Sequence, residues 1–292
     1  MTDPIDGNRD AVRRGGEIYD NPEFLDNYLK LRQKRAGLNE AIEIPALTRL
    51  LPEVHGIDIL ELGCGNGKLA RSLAAIGARH VLAVDGSRSM LATATRAPRV
   101  TYVHASIEDI RLRPTTVDLI VSSLALHYVA DFDSVIARAG QWLRPGGYLV
   151  FSTEHPVCTA PLGDTSPTAD GAWRLHGYAR EGPRVSRWFI DGVEKHHRTT
   201  STIVSTLLRH GFAVTGLLEP APTIAQVEQR PDLQIHRERP SVLVVAARTA
   251  PCDRRRDTRE PSADNFALGR ASNHYHGRAV ARTRPAGATQ SG

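Results

Sequence analysis

A run of alternating glycines, Glu61-Leu62-Gly63-Cys64-Gly65-Asn66-Gly67, restricts this chain more than any other stretch. It follows the apolar segment Ile57-Asp58-Ile59-Leu60 and leads at once into Leu69, Leu73 and Ile76 at helical spacing, so it reads as strand, tight turn, helix. Glycine permits the sharp bend and lets the backbone approach a ligand where a Cβ would collide. A second strand over residues 80–84 then delivers Asp85, eighteen residues beyond Gly67, to the same edge of the sheet. A carboxylate there accepts hydrogen bonds from both hydroxyls of a ribose. Turn and acid together imply a nucleoside with an uncharged or cationic appendage.

The rest of the chain alternates between strand and helix patterns. Asn21-Pro22 reads as an N-cap followed by proline at the first helical position, with Phe24, Leu25, Tyr28, Leu29 and Arg32 at helical spacing behind it. A second helical piece near Pro45 carries Leu47, Leu50 and Leu51 on one face. Strands are expected over residues 100–104, 117–122, 148–152, 212–219 and 241–247, with amphipathic helices after Asp131 and over residues 201–210. Helices alternating with strands, and ligand-facing residues at the carboxyl ends of those strands, define an α/β protein with a doubly wound sheet. Residues 157–200 depart from that plan. They hold Trp173, Tyr178, Trp188 and Phe189 in a chain that is only 5% aromatic. Residues 184–190 and 193–199 around Asp191-Gly192 predict a β-hairpin, read as a cap over a substrate. His196 and His197 are adjacent and so face opposite sides of a strand, a poor arrangement for sharing one metal. No metal site is assigned.

The motifs, taken together, resemble the class I S-adenosylmethionine-dependent methyltransferases over roughly residues 17–248. They are Glu61-x-Gly63-x-Gly65-x-Gly67 with Asp85, Asp118-Leu119-Ile120-x-Ser122, Leu126-His127-x-Val129 and Leu143-Arg144-Pro145-Gly146-Gly147. The resemblance implies a seven-stranded sheet of order 3-2-1-4-5-7-6 with one antiparallel strand, helices before the first strand forming a lid, and S-adenosylmethionine as cofactor. It also implies that Glu61, Gly63, Cys64, Gly65, Asn66 and Gly67 face the methionine part and that Asp85 and Gly86 hold the ribose. Carbonyls near Ser122 and Ser123 would receive the ammonium, with His127 and Tyr128 toward the transferred methyl. The family usually has an aspartate after the third strand to accept from adenine. Ser106 stands there instead, flanked by Ile107, with Glu108 as the alternative acceptor. Nucleobase-amine methyltransferases carry an Asn or Asp followed by Pro-Pro and an aromatic after strand four, unlike Ser122-Ser123-Leu124-Ala125. Glu154-His155-Pro156 closes the fifth strand. Glu154 would orient His155, and His155 or His127 would take a proton from an acceptor hydroxyl or amine. Tyr19, Tyr28 and Arg32 are candidates for lining the site from the lid.

Two other function classes compete. A nicotinamide-dependent oxidoreductase shares the logic of Asp85, but its third glycine would fall at Lys68, and no Tyr-x-x-x-Lys pair lies near the sheet edge. A non-catalytic cofactor-binding or nucleic-acid-binding protein is the third class. The net charge of +5 favours it less than it suggests, because residues 251–292 hold eight arginines against four acids. Residues 249–292 read as a disordered basic tail, residues 1–16 as a flexible leader, 17–56 as the lid and 57–248 as the catalytic domain. Nucleic-acid contact is expected to be weak, nonspecific and confined to the tail. Cys64, Cys158 and Cys252 lie far apart without a CxxC pair, and the polar N-terminus carries no secretory segment, so a reducing, cytoplasmic setting away from membranes is expected. The expected partner is a small-molecule methyl acceptor.

Overall fold

The computed structural model describes residues 15–33, 37–161 and 173–251. A seven-stranded sheet runs in the order β3-β2-β1-β4-β5-β9-β8, where β1 is Asp58–Leu62, β2 His80–Asp85, β3 Val100–His104, β4 Val117–Ser122, β5 Leu143–Glu154, β8 Phe212–Leu218 and β9 Val242–Thr249. Strands β6 (Gly182–Trp188) and β7 (Ile190–His197) pair separately. With that pair set aside, the order is the 3-2-1-4-5-7-6 expected from the motifs. The pairings among β3, β2, β1, β4 and β5 are parallel, and β9 runs antiparallel to both β5 and β8.

The central strands are near-continuous apolar runs because both faces of the sheet are covered. Alternate residues serve the two layers. Leu60, Ile120, Leu149 and Phe151 pack with Phe132, Val135 and Ile136 of α5 (Phe132–Trp142) and with Ile203 and Leu207 of α7 (Thr200–Arg209). Ile59, Leu119, Val121 and Val150 face the other way, onto Leu47 of α2 (Ile44–Leu50) and Leu73 of α3 (Lys68–Ala75). At the amino ends of the strands, Arg144 reaches Asp118 at 2.6 Å and Asp58 at 3.1 Å, and so ties the starts of β1 and β4 to that of β5. The carboxyl ends are left to the loops, and the loops make the site.

The N-terminal region forms α1 (Pro22–Gln33), with Asn21 Oδ1 accepting from the Phe24 N–H at 3.0 Å as its cap. Gly15–Asp20, which overlaps the end of the expected leader, is a 3-10 helix. Asp20 Oδ1 fastens it by accepting from Ser87 Oγ at 2.7 Å and from the Ser89 N–H at 2.9 Å. Residues 1–14 of the expected leader, and residues 252–292 of the expected tail, lie outside the described residues.

The hairpin forms, but its turn is displaced. Trp188 pairs with Ile190, leaving Phe189 at the tip with φ of 62°, while Gly192 at φ of 83° is absorbed into an irregularity of the ladder. The Asp-Gly turn preference loses to aromatic docking. Trp188 and Phe189 stack 5.1 Å apart and both meet Phe24 edge-on, at 5.2 and 5.5 Å. Aromatic pairs of this kind add about 0.5–1.5 kcal/mol each beyond area burial, enough to outweigh a turn preference and a strained φ.

Candidate active site

The glycine turn and Asp85 meet directly. Asp85 Oδ2 accepts from the Gly65 N–H at 2.7 Å, and Oδ1 accepts from the Ser87 N–H at 2.8 Å. Each oxygen keeps a further lone pair toward the cavity, as two ribose hydroxyls require. Gly63, Cys64, Gly65, Asn66, Glu61, Asp85, Gly86, Ser106, Ile107 and Ser123 all line one cavity of about 1700 Å³. Gly63 has φ of 76°, and a Cβ there would fall 2.3 Å from that of Ala125, so the loop after β4 closes directly on the turn.

Two of the predicted cofactor contacts sit elsewhere. Gly67 is not a wall of the cavity. A Cβ on it would lie 2.2 Å from Tyr102 Oη, so packing beneath the turn requires the glycine, not a ligand above it. Ser122 is fully buried, and its Oγ donates to the Leu62 carbonyl at 2.8 Å, joining β4 to β1. Ser106 Oγ accepts from the Glu108 N–H at 3.0 Å, and Glu108 Oε1 accepts from the N–H groups of Ala130 and Asp131 at 3.1 and 2.9 Å. Both residues still border the cavity at its nucleoside end.

This end is acidic and buried. Burial, with Asp85 adding to it, pushes the Glu61 carboxyl up to about 8, and its Oε2 is buried without a hydrogen-bond partner. Burial also raises Asp85, although the N–H groups of Ser87 and Gly65 oppose the shift. Sequence reasoning missed Glu43, on the π-helix Asn39–Glu43 that leads into α2. Its Oε1 accepts from Ser152 Oγ at 2.5 Å and Ser123 Oγ at 3.0 Å, while Oε2 has no partner. The available signal was an acid set among Ile42, Ile44 and Leu47 in a helical run. Of the two, Glu61 lines the cavity and Glu43 does not, and an orphaned carboxyl oxygen beside Asp85 suits a ligand carrying positive charge.

The side of the cavity away from Asp85 is built by β5, the short 3-10 helix Leu126–Tyr128 and the hairpin. Tyr19, Tyr28, Arg32, His127, Tyr128, Glu154, Trp188 and Lys195 all line the cavity. Glu154 does not orient His155. It accepts from Lys195 Nζ at 2.5 Å, and Lys195 sits 5.3 Å from the Trp188 ring. Burial alone would raise Glu154, but the Lys195 ammonium outweighs it and holds the carboxyl below its ordinary range. His155 lies outside the cavity. As the N-cap of α6 (Pro156–Thr159), its Nδ1 accepts from the Val157 N–H at 3.1 Å and its Nε2 meets Glu219 Oε1 at 2.8 Å, so both ring nitrogens are engaged. His127 does line the cavity, but burial lowers it to about 4, and Nδ1 accepts from the Glu154 N–H at 3.4 Å. Neutral, with its hydrogen on Nε2, it donates rather than abstracts. A single strand position was decisive: in the sequence Glu154 and His155 are neighbours, whereas at the end of β5 they turn to opposite sides.

A doubly wound α/β sheet whose strand ends open on one cavity, with acids and a glycine turn on one side and aromatic rings on the other, is an architecture that nucleoside-cofactor enzymes use. A family model described as a methyltransferase domain matches residues 60–151. An S-adenosylmethionine dependent methyltransferase of known structure from Mesorhizobium loti is 43% identical, with TM-score 0.68, covering 73% of this chain and all of that one. A Listeria monocytogenes structure described as a candidate member of the same class is 36% identical, with TM-score 0.67, covering 71% of this chain and 96% of that one. A Haemophilus influenzae protein with no assigned activity is 33% identical over 79% of this chain and 96% of its own length. The chain spans less than half the length of mycobacterial relatives that it also matches, 43% at 32% identity. The chain belongs to the class I S-adenosylmethionine-dependent methyltransferases, and S-adenosylmethionine is its cofactor. Among the described residues no helix is long and apolar enough to cross a membrane.

Proposed function

We propose that this protein methylates a small-molecule acceptor that enters between the hairpin and the carboxyl end of β5. The observation that carries this reading is the continuity of one cavity from Asp85 to Lys195 and Trp188. At about 1700 Å³ it exceeds the roughly 300–1,000 Å³ of a pocket for one small ligand and has room for cofactor and acceptor together. When bound, S-adenosylmethionine supplies a methyl on a sulfonium, whose C–S bond breaks as the acceptor's lone pair forms the new bond, leaving a neutral thioether.

The residues divide the work. Asp85 holds the ribose hydroxyls, with Gly86 beside it. Ser106 and Ile107 flank the base. Glu61, with its orphaned oxygen, meets the ammonium, and Gly63, Cys64, Gly65 and Asn66 shape the floor, with Ser123 held in place by Glu43. Tyr19 and Tyr28 close over the junction. In the acceptor end, the Glu154 carboxylate, kept ionised by Lys195, accepts a hydrogen bond from the acceptor's O–H or N–H and fixes the direction of attack, while His127 Nε2–H donates. Alignment at roughly 3–3.5 Å is the main requirement for such a displacement. The proton leaves to water, because neither His127 nor His155 is placed to take it.

The test is calorimetry with S-adenosylhomocysteine, followed by incubation with methyl-labelled S-adenosylmethionine and fractionated small metabolites. Labelled product should appear, with Glu154→Gln losing turnover while retaining cofactor affinity. Cofactor binding without label in any small molecule, but with label in protein or nucleic acid, would move the acceptor to another class.

A further inference from the structure

The acceptor end holds a second feature, which deepens the proposed function and rests on it. Four of the cations that line the cavity come from the hairpin and from the segment before β9: Arg187, Lys195, Arg230 and Arg239. Three have carboxylates, with Arg187 3.8 Å from Asp191, Lys195 2.5 Å from Glu154 and Arg230 2.6 Å from Asp232. Arg239 has none among the described residues. Its guanidinium lies 4.7 Å from the Trp173 ring, and its Nε is buried without an acceptor. An arginine keeps its charge, so a guanidinium that lines the cavity with no carboxylate partner among the described residues suits an anion. Stacking on the indole occupies the guanidinium face and leaves its edge, where paired N–H groups match the two oxygens of a carboxylate.

Position separates this group from the site of methyl transfer. Glu154, the last residue of β5, pairs across the sheet with Val242, the first residue of antiparallel β9. Arg239 lies three residues before Val242, hence beyond the edge of the sheet and outward of Glu154. The Cys158 thiol feels the charges of both Arg239 and Glu154, so one stretch of wall joins them. His236 adds no charge to this end. Burial and the cations around it hold it below its ordinary value, and its Nδ1 contacts Ser241 Oγ at 2.5 Å.

We propose that the methyl acceptor is a planar monoanion whose carboxylate is held bidentately by the Arg239 edge, with its methyl-accepting atom inward at Glu154. A monoanion matches Arg239, which of these four cations is the one with no carboxylate partner among the described residues. Trp173 and Trp188 supply the flat apolar walls between the two ends.

The probes are benzoate and its neutral isostere benzamide, each added to the full-length protein saturated with S-adenosylhomocysteine, with melting temperature as the readout. Benzoate should stabilise the wild type and benzamide should not, and Arg239→Gln should abolish the difference while keeping the shift caused by S-adenosylhomocysteine alone. Arg239→Lys, which keeps the charge but loses the fork, should retain less than half of the difference. Equal responses to the two probes in the wild type, or a difference that survives Arg239→Gln, overturns the anion site. Absence of any shift with S-adenosylhomocysteine would instead strike at the cofactor assignment, so the two failures are distinguishable.

Discussion

The proposed contact of Glu61 with the cofactor's ammonium makes cofactor binding a proton-linked event. In the free protein the Glu61 carboxyl is pushed up to about 8 by burial, with Asp85 as the next cause. At pH 7 such a group is about nine-tenths protonated, and at pH 6 only about 1% is ionised. A ligand ammonium against Glu61 Oε2 binds the ionised form, so binding at pH 7 should release roughly 0.9 proton. The ionised fraction rises about ninefold between pH 6 and 7, and affinity should rise by the same factor. The ligand's own α-ammonium stays largely protonated over that interval, so it does not mask the effect. The assay is titration calorimetry with S-adenosylhomocysteine at both pH values and in two buffers of different ionisation enthalpy. Glu61→Gln should bind more weakly at pH 7 and lose both the proton release and the pH slope. An affinity constant to within twofold from pH 6 to 7, or a slope retained in Glu61→Gln, would refute the reasoning. The same raised carboxyl acts on folding with a definite sign. The folded state keeps its proton above the ordinary value of 4.5, so stability of the free protein should fall as pH rises from there to about 8, and this part of the fall should vanish in Glu61→Gln.

Asp85→Ala removes acceptors for two backbone N–H groups as well as the proposed ribose contact, and should weaken S-adenosylhomocysteine binding by at least about tenfold by calorimetry; unchanged affinity would detach Asp85 from the site. Gly67→Ala puts a Cβ 2.2 Å from Tyr102 Oη at a φ of 73°, and should destabilise the fold by about 1–3 kcal/mol in urea titration; a loss under 0.5 kcal/mol would show that the turn relaxes freely. Phe24→Ala empties a fully buried position touching Tyr19, Tyr28, Trp188 and Phe189, and should cost about 3–5 kcal/mol and speed proteolysis of the hairpin, whereas unchanged cleavage there would mean the hairpin is held elsewhere.

The sheet was legible in the sequence, and so was the meeting of the glycine turn with Asp85. Parallel strands covered on both faces are contiguous apolar runs, and the elements at that end of the cavity are local: a glycine turn, an acid at the end of the next strand, and a serine after the third. Local signals survive tertiary context because each is fixed by its own strand end. What the sequence could not decide is which way side chains turn once the chain has left a strand. Glu154 and His155 are consecutive, yet one pairs with Lys195 inside the cavity and the other caps a helix outside it. His127 reads as a base until burial lowers its proton affinity and the Glu154 N–H takes up its Nδ1 lone pair. The hairpin's turn residue was set by aromatic rings meeting Phe24, a residue more than 150 positions away in the chain. Glu43, Lys195 and Arg239 acquire meaning only from partners, or the lack of one, that come from distant segments. Burial and charge pairing are sums over the whole fold, and the acceptor end is made almost entirely of them.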